Sequence, residues 1–147
     1  AHQGAAEATA GVAAVLAAEA AAGLETLDAY AGFQQRAEAA KHGLLQFLLQ
    51  AKREGRRVLG YGAAAKGNTL LNYAGIRADL LPAVADRAPS KQGRYLPCSH
   101  IPVISPEQLA TEVADALLVL PWNLIKEIST EFPNYELVTA IPHLTFL

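Results

Sequence analysis

The stretch between residues 58 and 73 constrains the fold of this chain more than any other. Two apolar residues, Val58 and Leu59, lead into a glycine-spaced loop, and the loop opens into an apolar run that ends at Tyr73. This order is typical of a buried strand, a tight turn and a helix whose first backbone N–H groups lack partners. Because those N–H groups and the helix dipole both favour negative charge, the turn is a candidate anion site.

The glycine spacing alone leaves the role of this turn open. Gly60, Gly62 and Gly67 give the pattern G-x-G-x-x-x-x-G, which differs from the dinucleotide fingerprint G-x-G-x-x-G. The turn also lacks the Gly-Lys-Ser/Thr ending of a P-loop, since Lys66 precedes Gly67 and Asn68 follows it. Glycines at such a junction also permit close packing of helix on strand. Phosphate binding and close packing are therefore both kept as interpretations.

The rest of the chain alternates apolar strands with helices. Two helices are predicted in residues 1–55, a helical segment that packs on a domain spanning residues 56–147. Strand–helix alternation predicts an α/β fold with a Rossmann-like, doubly wound, mostly parallel five-stranded sheet in the order 3-2-1-4-5. Residues 143–147 are expected to add a short edge strand. The five predicted strands span residues 58–61, 81–85, 101–104, 116–120 and 135–140.

Three residues are predicted to begin helices. Ser105 is followed by Pro106, a residue favoured at the first helical position. Thr26 is expected to cap the second N-terminal helix, and Asn123 the helix after the fourth strand.

The predicted strand order locates a binding crevice. Ligands of such sheets lie beyond the carboxyl ends of the strands, where the strand order reverses. The segment Gly60–Asn68 and the turn Pro121-Trp122-Asn123 flank that point and are expected to converge there. Trp122 either stacks on a nucleobase or sugar, or packs under the neighbouring helix.

The end of the second predicted strand carries charged residues. Asp86 stands where dinucleotide-binding folds place an acid that accepts hydrogen bonds from ribose, and it is equally suited to forming a turn. The loop that follows contains Arg87, Lys91 and Arg94. These cations either neutralise a pyrophosphate or are simply solvated.

Composition excludes several function classes. Twelve Lys and Arg against 14 Asp and Glu give a net charge of −2, so the chain has no bulk attraction for nucleic acid. Cys98 is the single cysteine, which excludes an intrachain disulfide and favours a reducing, cytoplasmic compartment. The four histidines show no metal-type spacing, and no catalytic triad or membrane-spanning run is found. We therefore expect a binding domain with no metal site and no catalytic residue of its own.

Four ordered motifs resemble one family. Residues 60–73 resemble the signature G-Y-G-A-x-A-K-G-N-T-L-L-N-Y of the C-terminal domain of S-adenosylmethionine-dependent sugar C-methyltransferases. Residues 86–97 resemble that family's D-R-x-P-x-K-Q-G-x-Y-x-P loop, and His100-Ile101-Pro102 and W-N-x-x-x-E-I at residues 122–128 match later segments. Cys98-Ser99 departs from the Gly-Thr that the family commonly has there.

The resemblance implies the third domain of an enzyme that methylates a carbon of a nucleotide-linked deoxy-keto-sugar. The zinc-binding domain, the S-adenosylmethionine site and the general base would lie in other domains, so this chain alone would be inactive. Its partners would be a dTDP-type sugar and a central methyltransferase domain. The implied substrate contacts are Gly60, Tyr61, Gly62, Ala63, Lys66, Gly67, Asn68, Asp86, Arg87, Lys91, Gln92, Tyr95, His100, Trp122 and Asn123.

Two other functions remain open from the residues alone. The fold and Asp86 also suit a stand-alone module that binds NAD(H) or coenzyme A. A structural or dimerising domain would instead use the alanine-rich helices to pack against a partner.

Overall fold

The structure, a computed structural model, describes residues 9–147. The described residues divide into two compact units, the first ending at Ala37 and the second spanning Glu38–Leu147. The first contains helix α1 (Ala10–Ala21), in which no residue is buried. Helix α2 (Phe33–Arg53) begins in the first unit and continues into the second. The domain boundary predicted near residue 55 stays a prediction.

The predicted cap at Thr26 is wrong. Thr26 precedes a short 3-10 turn (Leu27–Tyr30) and makes no capping hydrogen bond to it. Its hydroxyl instead donates to the Gly23 carbonyl at 2.9 Å. The hydroxyl is thus engaged by the turn that ends α1, and α2 starts only at Phe33.

The second unit is built on one sheet. Its strand order is β3-β2-β1-β4-β5-β6, in which β1 to β5 pair in parallel and β6 pairs antiparallel with β5. The elements after α2 are β1 (Val58–Tyr61), α3 (Ala65–Ala74), β2 (Val84–Ala85), β3 (Val103–Ile104), α4 (Pro106–Thr111), β4 (Ala116–Val119), α5 (Ile125–Glu131), β5 (Glu136–Thr139) and β6 (Thr145–Phe146).

The sheet has six strands where the main prediction had five. The parallel order 3-2-1-4-5 is confirmed, and the edge strand expected in residues 143–147 is present as β6. Leu137 and Leu147 exchange two backbone hydrogen bonds of 3.2 and 2.9 Å, which hold the returning chain on β5.

Apolar residues form two clusters, one on each face of the sheet. Leu44 and Leu48 of α2 and Leu71 of α3 are buried in one cluster, whereas Leu109 of α4 and Ile128 of α5 are buried in the other. Burial of each such side chain contributes about 1.5–3 kcal/mol to the free energy of unfolding. The two covered faces explain why β1 and β4 are continuously apolar.

The predicted start of α4 is confirmed. The Ser105 hydroxyl accepts a hydrogen bond of 3.2 Å from the Gln108 N–H, and the Gln108 side chain accepts one of 2.9 Å from the Ser105 N–H. Pro106 occupies the first helical position. Among residues 9–147, no helix has both the length and the apolar character needed to cross a bilayer.

Candidate functional site

The turn between β1 and α3 lies at the carboxyl edge of the sheet, where β4 is the other neighbour of β1. Gly62 has φ +83°, a conformation that residues with a side chain rarely adopt, and a Cβ there would lie 2.5 Å from Pro121 Cδ. A Cβ on Gly67 would lie 2.5 Å from Leu120 Cβ. These two glycines therefore allow the turn and α3 to pack directly against the end of β4.

The start of α3 leaves backbone donors available. Its N-cap is Ala64, which makes no side-chain capping hydrogen bond. The first bond of the helix runs from the Asn68 N–H to the Ala64 carbonyl at 2.9 Å. The N–H groups of Ala65, Lys66 and Gly67 precede that bond and have no partner within the helix. Together with the helix dipole they favour an anion at this position.

The carboxylate of Asp86 accepts three hydrogen bonds, which hold this turn to the loop after β2. Asp86 directly follows β2 and is 8% exposed. Its Oδ2 accepts hydrogen bonds from the Ala63 N–H at 2.7 Å and from Lys91 Nζ at 3.0 Å, and its Oδ1 accepts one from the Ala88 N–H at 2.8 Å. Burial by itself raises the pKa of Asp86, but the bonds from Ala88, Lys91 and Ala63 together bring the pKa below its ordinary value.

Lys91 and Gln92, in the loop after β2, make two more hydrogen bonds in this region. Lys91 Nζ also donates to the Ala63 carbonyl at 3.0 Å. Gln92 Nε2 donates to the Asp86 carbonyl at 2.9 Å. These side chains attach the loop to the ends of β1 and β2.

Lys66 connects the start of α3 to the turn after β4. Its ammonium lies 4.4 Å from the centre of the Trp122 ring and donates a hydrogen bond to Asn123 Oδ1. The predicted cap at Asn123 is wrong, because the residue lies in a 3-10 turn (Trp122–Leu124) and caps no helix. Its amide oxygen is engaged by Lys66 instead. The predicted convergence of the two turns is confirmed by this contact.

A first cavity of about 490 Å³ lies between the turn and α5. The Tyr61 hydroxyl donates to Glu131 at 3.3 Å, and Arg87 forms an ion pair with the same carboxylate at 2.5 Å. Burial, followed by the negative charge of Glu131, raises the pKa of Tyr61. The cavity is lined by Tyr61, Gly62, Ala64, Asp86, Arg87, Pro121, Leu124, Glu127, Ile128, Thr130 and Glu131.

A second cavity of about 640 Å³ lies on the other side of the turn, along the first part of α3. Asn68 Oδ1 is buried here and has no hydrogen-bond partner among the described residues. Lys91 and Arg94 supply positive charge, and Tyr95 and Leu96 supply apolar surface. The remaining lining residues are Ala63, Ala64, Ala65, Thr69, Ser90, Pro97 and Val103.

The structure brings most of the predicted site residues to these cavities or to the turn between them, with a few exceptions. Gly60 lies inside β1, where a Cβ would be 2.7 Å from Val84 Cγ2, so its position is explained by sheet packing. His100 is exposed at φ +55° and lines neither cavity. Gln92, Trp122 and Asn123 border the turn without lining a cavity.

Sequence reasoning missed the contribution of α5. Glu127 and Glu131 line the first cavity, and Glu131 is the partner of both Tyr61 and Arg87. The spacing of four residues, which places both carboxylates on one helix face, was the available signal. In the part of the chain that the structure describes, no group of His, Cys, Asp and Glu could hold a metal ion.

Comparison with known proteins identifies the family. The profile of the C-methyltransferase C-terminal domain matches residues 1–141. The C-methyltransferase NovU of Streptomyces niveus is 36% identical over 117 residues, a match that covers 80% of this chain and 28% of that protein. The match thus covers less than a third of that protein's length. It belongs to the family of C-methyltransferase C-terminal domains.

Proposed function

We propose that this domain holds a nucleotide-linked deoxy-keto-sugar for methylation at carbon by an S-adenosylmethionine-dependent enzyme of which it is the C-terminal part. The observation that carries the proposal is membership of the C-methyltransferase C-terminal domain family. The geometry of the β1–α3 turn supports it further, because the turn offers what the diphosphate of such a substrate requires.

The diphosphate would lie against the N-terminus of α3. The N–H groups of Ala65, Lys66 and Gly67 point out of the helix start, as in other phosphate-binding turns. The exposed ammonium of Lys66 and the guanidinium of Arg94 add charge-assisted hydrogen bonds. Such bonds are directional, so they would fix the orientation of the ligand as well as its position.

The two cavities would receive the ends of the substrate. Their volumes, about 490 and 640 Å³, lie in the range of small-molecule sites. Both are lined by apolar surface together with polar groups that suit nucleoside and sugar hydroxyls. In the first cavity these groups are Tyr61, Glu127, Thr130 and Glu131. Because Ala64 lines both cavities, a ligand that crosses the turn would occupy both.

The methyl donor would be held outside this domain. The start of α3 favours an anion, whereas the reacting centre of S-adenosylmethionine is a sulfonium cation, so this helix start would not stabilise the group that donates the methyl. In the proposed reaction the donor and the general base belong to the central domain of the enzyme. This domain would supply binding and orientation, which lower the barrier by fixing the reacting groups in place.

Calorimetric titration with dTDP tests the proposal. We expect the wild-type domain to bind dTDP saturably, and Lys66→Ala to weaken binding about tenfold or more through loss of a charged hydrogen bond. The matched control is Lys52→Ala, an exposed lysine paired with Asp79. We expect this variant to bind as the wild type does.

Three results would count against the proposal or against its assignment of residues. Full-strength binding by Lys66→Ala would remove Lys66 from the site. Absence of dTDP binding, both by this chain and by a protein that includes the other domains, would contradict the function itself. Tighter binding of NADH than of dTDP would identify a nicotinamide-cofactor module instead.

A further inference from the structure

We propose that Asp86 and Lys91 are positioning residues that hold the β1–α3 turn ready for a diphosphate without contacting the ligand themselves. The ligand in this inference rests on the proposed function. The name latch is used for two side-chain groups, the Asp86 carboxylate and the Lys91 ammonium, which together hold the backbone N–H and carbonyl of Ala63.

The latch engages both backbone groups of Ala63. The Ala63 N–H donates to Asp86 Oδ2 at 2.7 Å, and the Ala63 carbonyl accepts a hydrogen bond from Lys91 Nζ at 3.0 Å. The ion pair of 3.0 Å between Lys91 and Asp86 closes the triangle. Ala63 stands directly before Ala64, the N-cap of α3, so the latch fixes the backbone from which the free amides project.

The latch leaves Asp86 little capacity for a ligand. A carboxylate accepts about four hydrogen bonds. Asp86 already accepts three, from Ala63, Ala88 and Lys91, and is 8% exposed. Asp86 lines the first cavity, but its Oδ2 already accepts two hydrogen bonds and its Oδ1 one, which leaves at most about one acceptor position for the ribose that the alternative interpretation requires.

Lys91 and Arg94 both line the second cavity, but their charges have different partners. The charge of Lys91 is compensated by Asp86, which lowers its attraction for an incoming anion. Arg94 lines the same cavity and forms no ion pair with any of residues 9–147. Arg94 is therefore the cation suited to contact phosphate, and Lys91 the cation that holds the turn.

Replacing Asp86 distinguishes the latch from its alternatives. A carboxylate that merely lies near the ligand repels an anion, so its neutral amide would strengthen pyrophosphate binding. A ribose acceptor would leave binding of inorganic pyrophosphate unchanged, since that ligand has no ribose. Asp86→Asn keeps the shape of the side chain but turns one acceptor into a donor, which then faces an N–H or Lys91. The latch alone therefore predicts weaker pyrophosphate binding.

The test is calorimetric titration of Asp86→Asn, Lys91→Met and the double variant with inorganic pyrophosphate and with dTDP. We expect each single variant to lose about tenfold in affinity for both ligands, and the double variant to lose no more than the worse single one. We expect Lys91→Arg, which retains charge and donors, to stay within about threefold of the wild type. The matched controls Asp79→Asn and Lys52→Met break an exposed Lys–Asp pair of 3.8 Å and should change nothing.

Two results of the binding experiment would overturn the latch. One is unchanged or tighter pyrophosphate binding by Asp86→Asn with its fold intact by circular dichroism. The other is losses in Asp86→Asn and Lys91→Met that add fully in the double variant, since groups acting as one unit are not additive. If Asp86→Asn does not fold, Lys91→Met carries the test, with Lys91→Arg as its rescue.

A readout without ligand separates failure of the latch from failure of the proposed function. In the ligand-free protein, we expect the Ala63 N–H to exchange with solvent at least tenfold faster in Asp86→Asn and Lys91→Met than in the wild type and the two controls. Unchanged exchange overturns the latch. Absence of pyrophosphate and dTDP binding by the wild type counts against the proposed function, and the exchange measurement then decides the latch alone.

Discussion

The N-termini of α3 and α4 differ in how their unpaired backbone N–H groups are satisfied: side chains cap α4 but not α3. Every helix begins with N–H groups that lack a partner inside the helix. In α4, Ser105 and Gln108 satisfy two of these donors through reciprocal hydrogen bonds, and Pro106 removes another. In α3, the N-cap is Ala64, whose side chain can accept nothing.

The difference lies in where the two helices stand. The capped helix α4 follows β3, at the edge of the sheet, and α3 follows β1, at the point where the strand order reverses. The uncapped helix start is therefore at the position where such folds bind ligands. Its start is held by Asp86 and Lys91 from a neighbouring loop, which leaves the amides of the helix itself available.

The largest effect is expected from crowding the start of α3. Gly67→Ala places a Cβ 2.5 Å from Leu120 Cβ, so the helix must shift away from β4. We expect a loss of about 2 kcal/mol in the free energy of unfolding, measured by urea denaturation. The control is Gly11→Ala in the exposed helix α1, where the nearest atom is 3.6 Å away. There the same change should stabilise by up to about 1 kcal/mol, and a loss at both positions would contradict the packing explanation.

An N-cap side chain introduced at α3 should make its helix start resemble that of α4, with higher stability and weaker anion binding. Ala64 already has the extended φ and ψ of an N-cap, −84° and 146°. Ala64→Asp should therefore stabilise the helix by roughly 0.5–1 kcal/mol, and its carboxylate should weaken dTDP binding about tenfold or more. Denaturation and calorimetry on the same protein measure both effects. Undiminished dTDP binding would mean that the α3 amides do not bind the ligand.

Removal of the existing cap should have the complementary result. Ser105→Ala should cost about 1 kcal/mol of stability, because the Gln108 N–H loses its acceptor. We expect no change in dTDP affinity, since Ser105 lines neither cavity. A large change in affinity would show that binding depends on general stability and not on the α3 terminus.

The smallest effect is expected in the loop that borders the second cavity. Cys98 has φ +64°, a backbone conformation that favours glycine. The sugar C-methyltransferases whose motifs this chain resembles commonly have glycine at this position. Cys98→Gly should therefore stabilise by roughly 0.5 kcal/mol or slightly more, as the cost of the left-handed conformation is removed. Thermal denaturation measures the change, and destabilisation would contradict the interpretation.

The topology of the sheet could be predicted because each part of it has a local signal. Apolar runs such as 116–119 mark strands that are covered on both faces, and right-handed crossovers then restrict the order in which strands pair. The local signal fails where a side chain has two competing partners. Thr26 and Asn123 bond to groups other than the helix ends that they were expected to cap.

The approach of the candidate site residues to one turn could be predicted from the sequence, but the contacts between them could not. Parallel strands bring the ends of β1, β2 and β4 together, so the positions of Asp86 and Trp122 near the turn follow from strand order. The donors that bond to the Asp86 carboxylate are determined by the path of the loop after β2. No local sequence pattern specifies that path. Lys66 and Asn123 are 57 residues apart, and Tyr61 and Glu131 are 70 apart, so these contacts emerge only from the folded chain.

The most direct test of the account is a nuclear magnetic resonance titration of the ¹⁵N-labelled domain with dTDP. The account predicts saturable shifts of the Ala65, Lys66 and Gly67 amide signals at the uncapped start of α3. The amides of Glu107 and Gln108, at the capped start of α4, should not move. Unchanged α3 signals at saturating dTDP, or equal shifts at both helix starts, would contradict the account.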